Sequence, residues 1–171
     1  GNYVKAQKNA GTALKLTDSP IITAVSAVIA ARSAHELDDT KVRDQYIATA
    51  LRKAPTEKSL SLMAKADFLL SDGHHQEALE TLHSLYANGG LQPSSALQLE
   101  LRAQQQANNW DAVLELANIL AKRPSTNQTL VKNLKHDAQL ENIRRKGADL
   151  HTLNHYWQSL SPLEKMDSRV A

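Results

Sequence analysis

Two histidines near the end of the sequence have a spacing that could hold a metal ion or a haem iron. His151 and His155 are four residues apart, so on a helix they would share one face. No acidic residue, cysteine or third histidine stands at ligand spacing beside them, so we predict no metal site there. His74 adjoins His75 in a predicted turn. The pair could be exposed polar residues without a ligand, or His74 could contact haem. The histidines that could contact haem are therefore His151, His155 and His74.

Other residue types argue against catalysis. The 171 residues include no cysteine, which excludes thiol chemistry, disulfides and cysteine-ligated metals. No Ser/His/Asp order, pair of carboxylates or glycine-rich phosphate loop can be assembled from the sequence. We therefore expect a protein that is not an enzyme and needs no cofactor.

The charge of the chain is nearly balanced but locally uneven. Twenty basic residues oppose eighteen acidic ones, giving a net charge of +2. A basic run, Arg144, Arg145 and Lys146, closes a predicted helix, where cations interact favourably with the negative end of the helix dipole. The alternative is contact with anionic lipid or an acidic partner. Nucleic acid is not expected, because aromatic stacking platforms and a groove-reading motif are missing.

The elements that position these residues are predicted to be helices. Alanine and leucine supply 49 of the 171 residues, while glycine and proline together supply 11. The longest apolar stretch, residues 21–31, is about half the length needed to cross a bilayer. We interpret it as a buried helix.

A repeat of about 35 residues organises the chain. Apolar residues follow each repeat start at helical spacing, and a proline then ends each unit. Asp38, Gly73 and Asn108 occupy the turns because these residue types best tolerate a positive φ. The four starts are Gly1-Asn2-Tyr3, Asp38-Asp39-Thr40, Gly73-His74-His75 and Asn108-Asn109-Trp110, and the closing prolines are Pro20, Pro55, Pro93 and Pro124.

The pattern predicts an all-α chain of about nine or ten helices, arranged as a right-handed solenoid of helical hairpins. Residues 1–125 would hold the repeats: the second helix of a truncated repeat at 1–18, then units at about 20–54, 56–90 and 94–124. Residues 126–171 would continue as irregular helices, with one long helix over 127–146 that ends at Gly147.

The units resemble the tetratricopeptide repeat. Gly1, Asn2, Tyr3 and Ala6 match the Gly-Asn-Tyr-x-x-Ala signature of that family, whereas Arg43 stands where the family usually has alanine. The resemblance implies a concave groove, lined by the first helix of each hairpin, that binds other proteins. By register the groove residues are Arg32, Glu36, Asp67, Ser71, Gln98, Arg102 and Gln105. Arg102 could clamp a carboxylate of the partner, although a solvated helix face would look the same in sequence.

The order of segments also resembles the HemY-like tetratricopeptide proteins of bacteria. The similar segments are the alanine-rich stretch 24–34, the Asn-Asn-Trp110 unit and the module that ends with Tyr156 and Trp157. This resemblance implies the soluble part of a protein tethered to the inner membrane by N-terminal segments. It also implies a role in a late step of protoheme (porphyrin) formation, in which the protein holds haem-pathway enzymes or other proteins. The alternatives are an adaptor in another pathway and a direct carrier of haem or porphyrin.

Overall fold

A computed structural model describes residues 2–87, 92–124, 126–147 and 149–166, without the side chains of Lys146, Leu163 and Glu164. The chain is all-α as predicted, and no strand occurs in those ranges. Gly1 of the repeat signature and the Lys146 side chain of the basic run lie outside what is described. The helices are α1 (Tyr3–Leu16), α2 (Pro20–His35), α3 (Thr40–Lys53), α4 (Lys58–Ser71), α5 (His75–Tyr86), α6 (Ser94–Gln106), α7 (Trp110–Ala121), α8 (Gln128–Lys146), α9 (Leu150–Ser159) and α10 (Pro162–Lys165), with a 3₁₀ turn at Pro55–Glu57.

Several helices begin at a side chain that accepts a hydrogen bond from the first turn. The Asn2 side chain accepts from the Lys5 amide at 3.2 Å, and that of Asp39 accepts from the Val42 amide at 3.0 Å. Asp149 accepts from the Thr152 amide at 2.7 Å, and this bond lowers the pKa of the Asp149 carboxyl. The local sequence thus fixes where α1, α3 and α9 start.

The turns that follow four of the helices contain a residue with positive φ. Asp38 has φ 59°, Gly73 has φ 83° and Asn108 has φ 57°. Gly147, after α8, has φ 63°. The sequence predicted a left-handed backbone at Asp38, Gly73 and Asn108, and that prediction is confirmed. Gly147 follows the end of α8, where the sequence predicted that the long helix ends.

The chain divides into two compact units, residues 1–107 with α1 to α6 and residues 108–171 with α7 to α10. In the first unit each helix packs on the next one, and α4 also packs on both α2 and α6. Contact between alternate helices is what stacked hairpins produce. The superhelical sense and the repeat boundaries remain predictions from the sequence.

Buried clusters in the first unit each draw on three consecutive helices. One contains Leu14, Ala27 and Ala50 from α1, α2 and α3. Another centres on Phe68, and a third, formed by α4, α5 and α6, centres on Leu82. No single hairpin therefore completes its own core.

Helix α2 is buried by its alanines and not by its largest side chains. Five alanines are fully buried: Ala24, Ala27, Ala30, Ala31 and Ala34. Ile21, at 62% exposure, is accessible together with Ile22, Val25 and Ile29. The prediction of a buried helix over 21–31 was wrong for this face, because the small residues let neighbouring helices approach while these four branched residues face away. Val28, in the same run, is buried as predicted. Among the described helices, none has both the length and the apolarity to span a membrane.

Candidate functional site

Helices α2, α4 and α6 line a cavity of about 400 Å³, which we call the groove cavity. Four of the seven predicted groove residues, Arg32, Asp67, Gln98 and Arg102, line it. The other lining residues are Val28, Leu60, Met63, Ala64, Ser95 and Leu99. The cavity therefore combines a polar rim with an apolar floor.

Three of the polar residues that line the cavity occupy the same position in three consecutive repeats. Arg32, Asp67 and Arg102 follow one another at intervals of 35 residues, on α2, α4 and α6. Arg102 Nη1 lies 3.0 Å from Asp67 Oδ1, and Arg32 Nη2 lies 4.0 Å from Asp67 Oδ2. The Asp67 side chain keeps 32% exposure between two more exposed arginines. One carboxylate thus faces two guanidinium groups, which leaves one positive charge in excess.

The remaining predicted groove residues are engaged elsewhere. The Tyr3 hydroxyl donates a hydrogen bond to Glu36, and this bond raises the pKa of Tyr3. Ser71 Oγ donates to the Asp67 carbonyl oxygen at 3.0 Å, one turn back in the same helix. Gln105 is half-buried on α6 and does not line the groove cavity. The structure thus brings together four of the seven residues.

The histidines fall into two different settings. His74 is exposed at the start of α5, where its Nδ1 lies 2.9 Å from Glu77 Oε1. His151 and His155 are exposed but line one cavity of about 440 Å³ in the second unit, together with Leu114 and Ile143. Within the described ranges no group of three or more His, Cys, Asp or Glu residues could hold a metal ion.

Sequence reasoning missed a buried histidine beside that cavity. His136 Nδ1 and the Tyr156 hydroxyl are 3.1 Å apart, and both residues are buried. His136 Nε2 is also buried, and it has no hydrogen-bond partner among the described residues. Spacing gave no signal here, because the two residues lie on different helices.

The two arginines of the basic run are both exposed but differ in their partners. Arg145 Nη1 donates to the carbonyl oxygen of Asn108 at 2.7 Å, which holds the turn before α7. Arg144 is exposed and lies 3.4 Å from Glu141. Arg145 therefore has a local structural role that differs from the predicted interaction with the helix dipole, which nothing in the structure tests.

Arg43, which departs from the repeat signature, is a second residue whose surroundings could not be predicted from the sequence. Its side chain is only 5% exposed, yet Nη1 lies 2.7 Å from Asp72 Oδ2 and Nε lies 2.8 Å from Asp44 Oδ1. The guanidinium also lies 5.2 Å from the centre of the Phe68 ring. Burial opposes the charged form, but the two carboxylates outweigh it and raise the pKa of Arg43. An arginine is thus accommodated where the family has alanine.

No protein-family model matches this chain, and neither does any curated protein or solved structure. The resemblance to tetratricopeptide and HemY-like proteins stays a prediction from the sequence.

Proposed function

We propose that this chain is a protein-interaction scaffold that binds a peptide segment of a partner in the groove cavity. The observation that supports it is the meeting of Arg32, Asp67 and Arg102, from α2, α4 and α6, above an apolar floor. Such a surface offers a charge for orientation and apolar area for affinity. The preferred segment would carry an acidic side chain next to an apolar one.

On binding, a carboxylate of the partner would take over one of the two guanidinium groups that now share Asp67. An acidic side chain of the partner would pair with a guanidinium that Asp67 now shares, so only one new net ion pair would form. The apolar neighbour would cover Leu60, Met63 and Leu99. The exposed Gln98 amide, at the edge of the same cavity, could hydrogen-bond the peptide backbone.

The pathway is proposed from the sequence resemblance alone. Similarity to HemY-like proteins would place the scaffold in a late step of protoheme formation, where the partners would be haem-pathway enzymes. From the same resemblance we propose that the protein associates with the bacterial inner membrane through N-terminal segments. A scaffold in another pathway would use the groove cavity in the same way, so the peptide-binding test below is independent of the pathway.

A selection from a random peptide library on the purified protein tests the scaffold function. We expect the selected peptides to carry an acidic residue beside an apolar one. Arg102→Glu should weaken their binding about tenfold or more in fluorescence anisotropy, because it replaces a paired cation with a repelling charge. Asp67→Asn should strengthen binding, because it leaves both guanidinium groups uncompensated.

Lys65→Glu is the matched control for Arg102→Glu. Lys65 is exposed on α4 and outside the groove cavity, and its substitution changes the net charge by the same amount. Selected peptides without acidic residues, or equal losses in the two variants, would contradict the proposal.

A second candidate, a haem or porphyrin carrier, is favoured by one observation. His151 and His155 line the same cavity as Leu114 and Ile143, so an axial ligand and apolar contacts coexist there. This function predicts a saturable Soret shift when haem is added, and His155→Ala should abolish it. His74→Ala should leave the shift unchanged, because His74 is not among the residues that line that cavity and its Nδ1 pairs with Glu77. A titration without saturation eliminates the carrier.

A further inference from the structure

A second cavity of the first unit lies between α1 and α3 and measures about 660 Å³. We call it the lysine groove. It shares no lining residue with the groove cavity, which lies on α2, α4 and α6. The lining residues are Val4, Gln7, Lys8, Gly11, Thr12, Leu14, Lys15, Tyr46, Thr49 and Lys53. Neither the scaffold function nor the carrier function uses this surface.

The charges of the lysine groove are all of one sign. Lys8, Lys15 and Lys53 line it, and no aspartate or glutamate does. None of the three lysines has an ion-pair partner among the residues that the structure describes. The groove cavity differs in this respect, since Asp67 partly neutralises its arginines. The lysine groove is thus complementary to an anionic ligand.

The distances between the lysines indicate which kind of anion fits the lysine groove. Lys8 and Lys15 are seven residues apart on α1, which corresponds to about 10 Å along the helix axis. Lys53 adds a charge from the end of α3. Charges spread along a recess suit several separated carboxylates better than a single phosphate. In an extended peptide about three residues cover roughly 10 Å.

The floor of the lysine groove supplies polar and apolar contacts. A Cβ at Gly11 would lie 3.3 Å from the Tyr46 hydroxyl oxygen, so the glycine lets the phenol approach α1 closely. That hydroxyl makes no hydrogen bond within the described part of the chain and can donate one to a ligand. Val4, at 63% exposure, offers apolar area beside it. A recess between two helices with this mixture fits a chain segment better than it fits the flat surface of a bilayer.

We propose that the lysine groove binds an acidic peptide segment of a second partner, independently of the groove cavity. Glutamate or aspartate side chains of the segment pair with Lys8, Lys15 and Lys53, and one carboxylate accepts a hydrogen bond from the Tyr46 hydroxyl. Apolar side chains between the acidic ones contact Val4. The chain would then join two partners through two separate surfaces of one unit.

The test uses a fluorescein-labelled peptide with leucines between glutamates that are spaced about three residues apart. The matching peptide with glutamine in place of glutamate is the ligand control. In fluorescence anisotropy we expect the glutamate peptide to bind. Lys15→Glu combined with Lys53→Glu should weaken it about tenfold or more, since two attractive charges become repulsive. Tyr46→Phe should weaken it about fivefold by removing the hydroxyl alone.

The matched protein control combines Lys58→Glu with Lys65→Glu. Both lysines are exposed on α4 outside either cavity, and the pair changes the net charge equally. Because this peptide also carries acidic residues beside apolar ones, all of these variants are made in an Arg102→Glu background, in which the groove cavity should bind it only weakly. In that background the control pair should retain binding, and circular dichroism should show unchanged helix content in every variant. Equal losses in the two double variants, or equal binding of the glutamine peptide, would overturn the proposal. Lysine-dependent binding to vesicles of anionic phospholipid without binding of the peptide would also overturn it.

Discussion

Replacing Leu82 with alanine is expected to lower the free energy of unfolding by about 3 kcal/mol, within the range for fully buried leucines. Leu82 on α5 is 0% exposed and packs in one cluster with Leu70 on α4 and Ala96 on α6. The substitution would remove apolar contact with both neighbouring helices and leave a cavity between them. The measurement is urea unfolding followed by circular dichroism, with the midpoint compared with that of the unmodified protein.

Leu16→Ala is the control for Leu82→Ala. Leu16 is 82% exposed at the end of α1, so its truncation should change stability by no more than about 0.5 kcal/mol. A similar midpoint for the two variants would show that Leu82 does not connect the helices as described.

Replacing Arg43 with alanine is also expected to cost about 3 kcal/mol, toward the lower end of the range for breaking a buried ion pair. The guanidinium is nearly buried, whereas Asp72 keeps partial access to water, which moderates the loss. Asp72→Ala should cost at least as much, because it leaves the buried cation paired with Asp44 alone. Both variants can be compared by the same urea unfolding.

A double-mutant cycle separates the interaction free energy of the Arg43–Asp72 pair from the general effects of shortening each side chain. Arg43→Ala combined with Asp72→Ala should cost less than the two single changes added together, with a coupling of about 2 kcal/mol. Asp44→Ala is the control, because its carboxylate is mostly exposed and screened by water. A coupling near zero, or an equal loss for Asp44→Ala and Asp72→Ala, would refute the structural role of the pair.

The parts of the structure that follow from local chemistry could be predicted from the sequence. Asp38, Gly73 and Asn108 adopt positive φ because few other residue types tolerate it, and this property needs no knowledge of the fold. The helices follow from composition and apolar spacing for the same reason. Repeat spacing also placed Arg32, Asp67 and Arg102 on one surface.

Features that depend on distances between helices could not be predicted in this way. The apolar run of α2 did not reveal that Ala27 would be buried and Ile21 exposed, since burial depends on how closely α1, α3 and α4 approach. The engagement of Glu36 by Tyr3 depends on the approach of two helices in the same manner. Arg43 and Asp72 are 29 residues apart, and only the packed hairpins bring them together.

The pairing of Arg43 with Asp72 also specifies the order of the hairpins. One repeat later the counterpart of Arg43 is Ala78, and one repeat earlier the counterpart of Asp72 is Leu37, so neither copy can form the same bond. A rearranged chain in which the α2–α3 hairpin adjoined another neighbour would enclose an arginine without its carboxylate. One ion pair therefore discriminates the correct neighbour from structurally similar ones, and engineered duplications of this segment should keep both residues together.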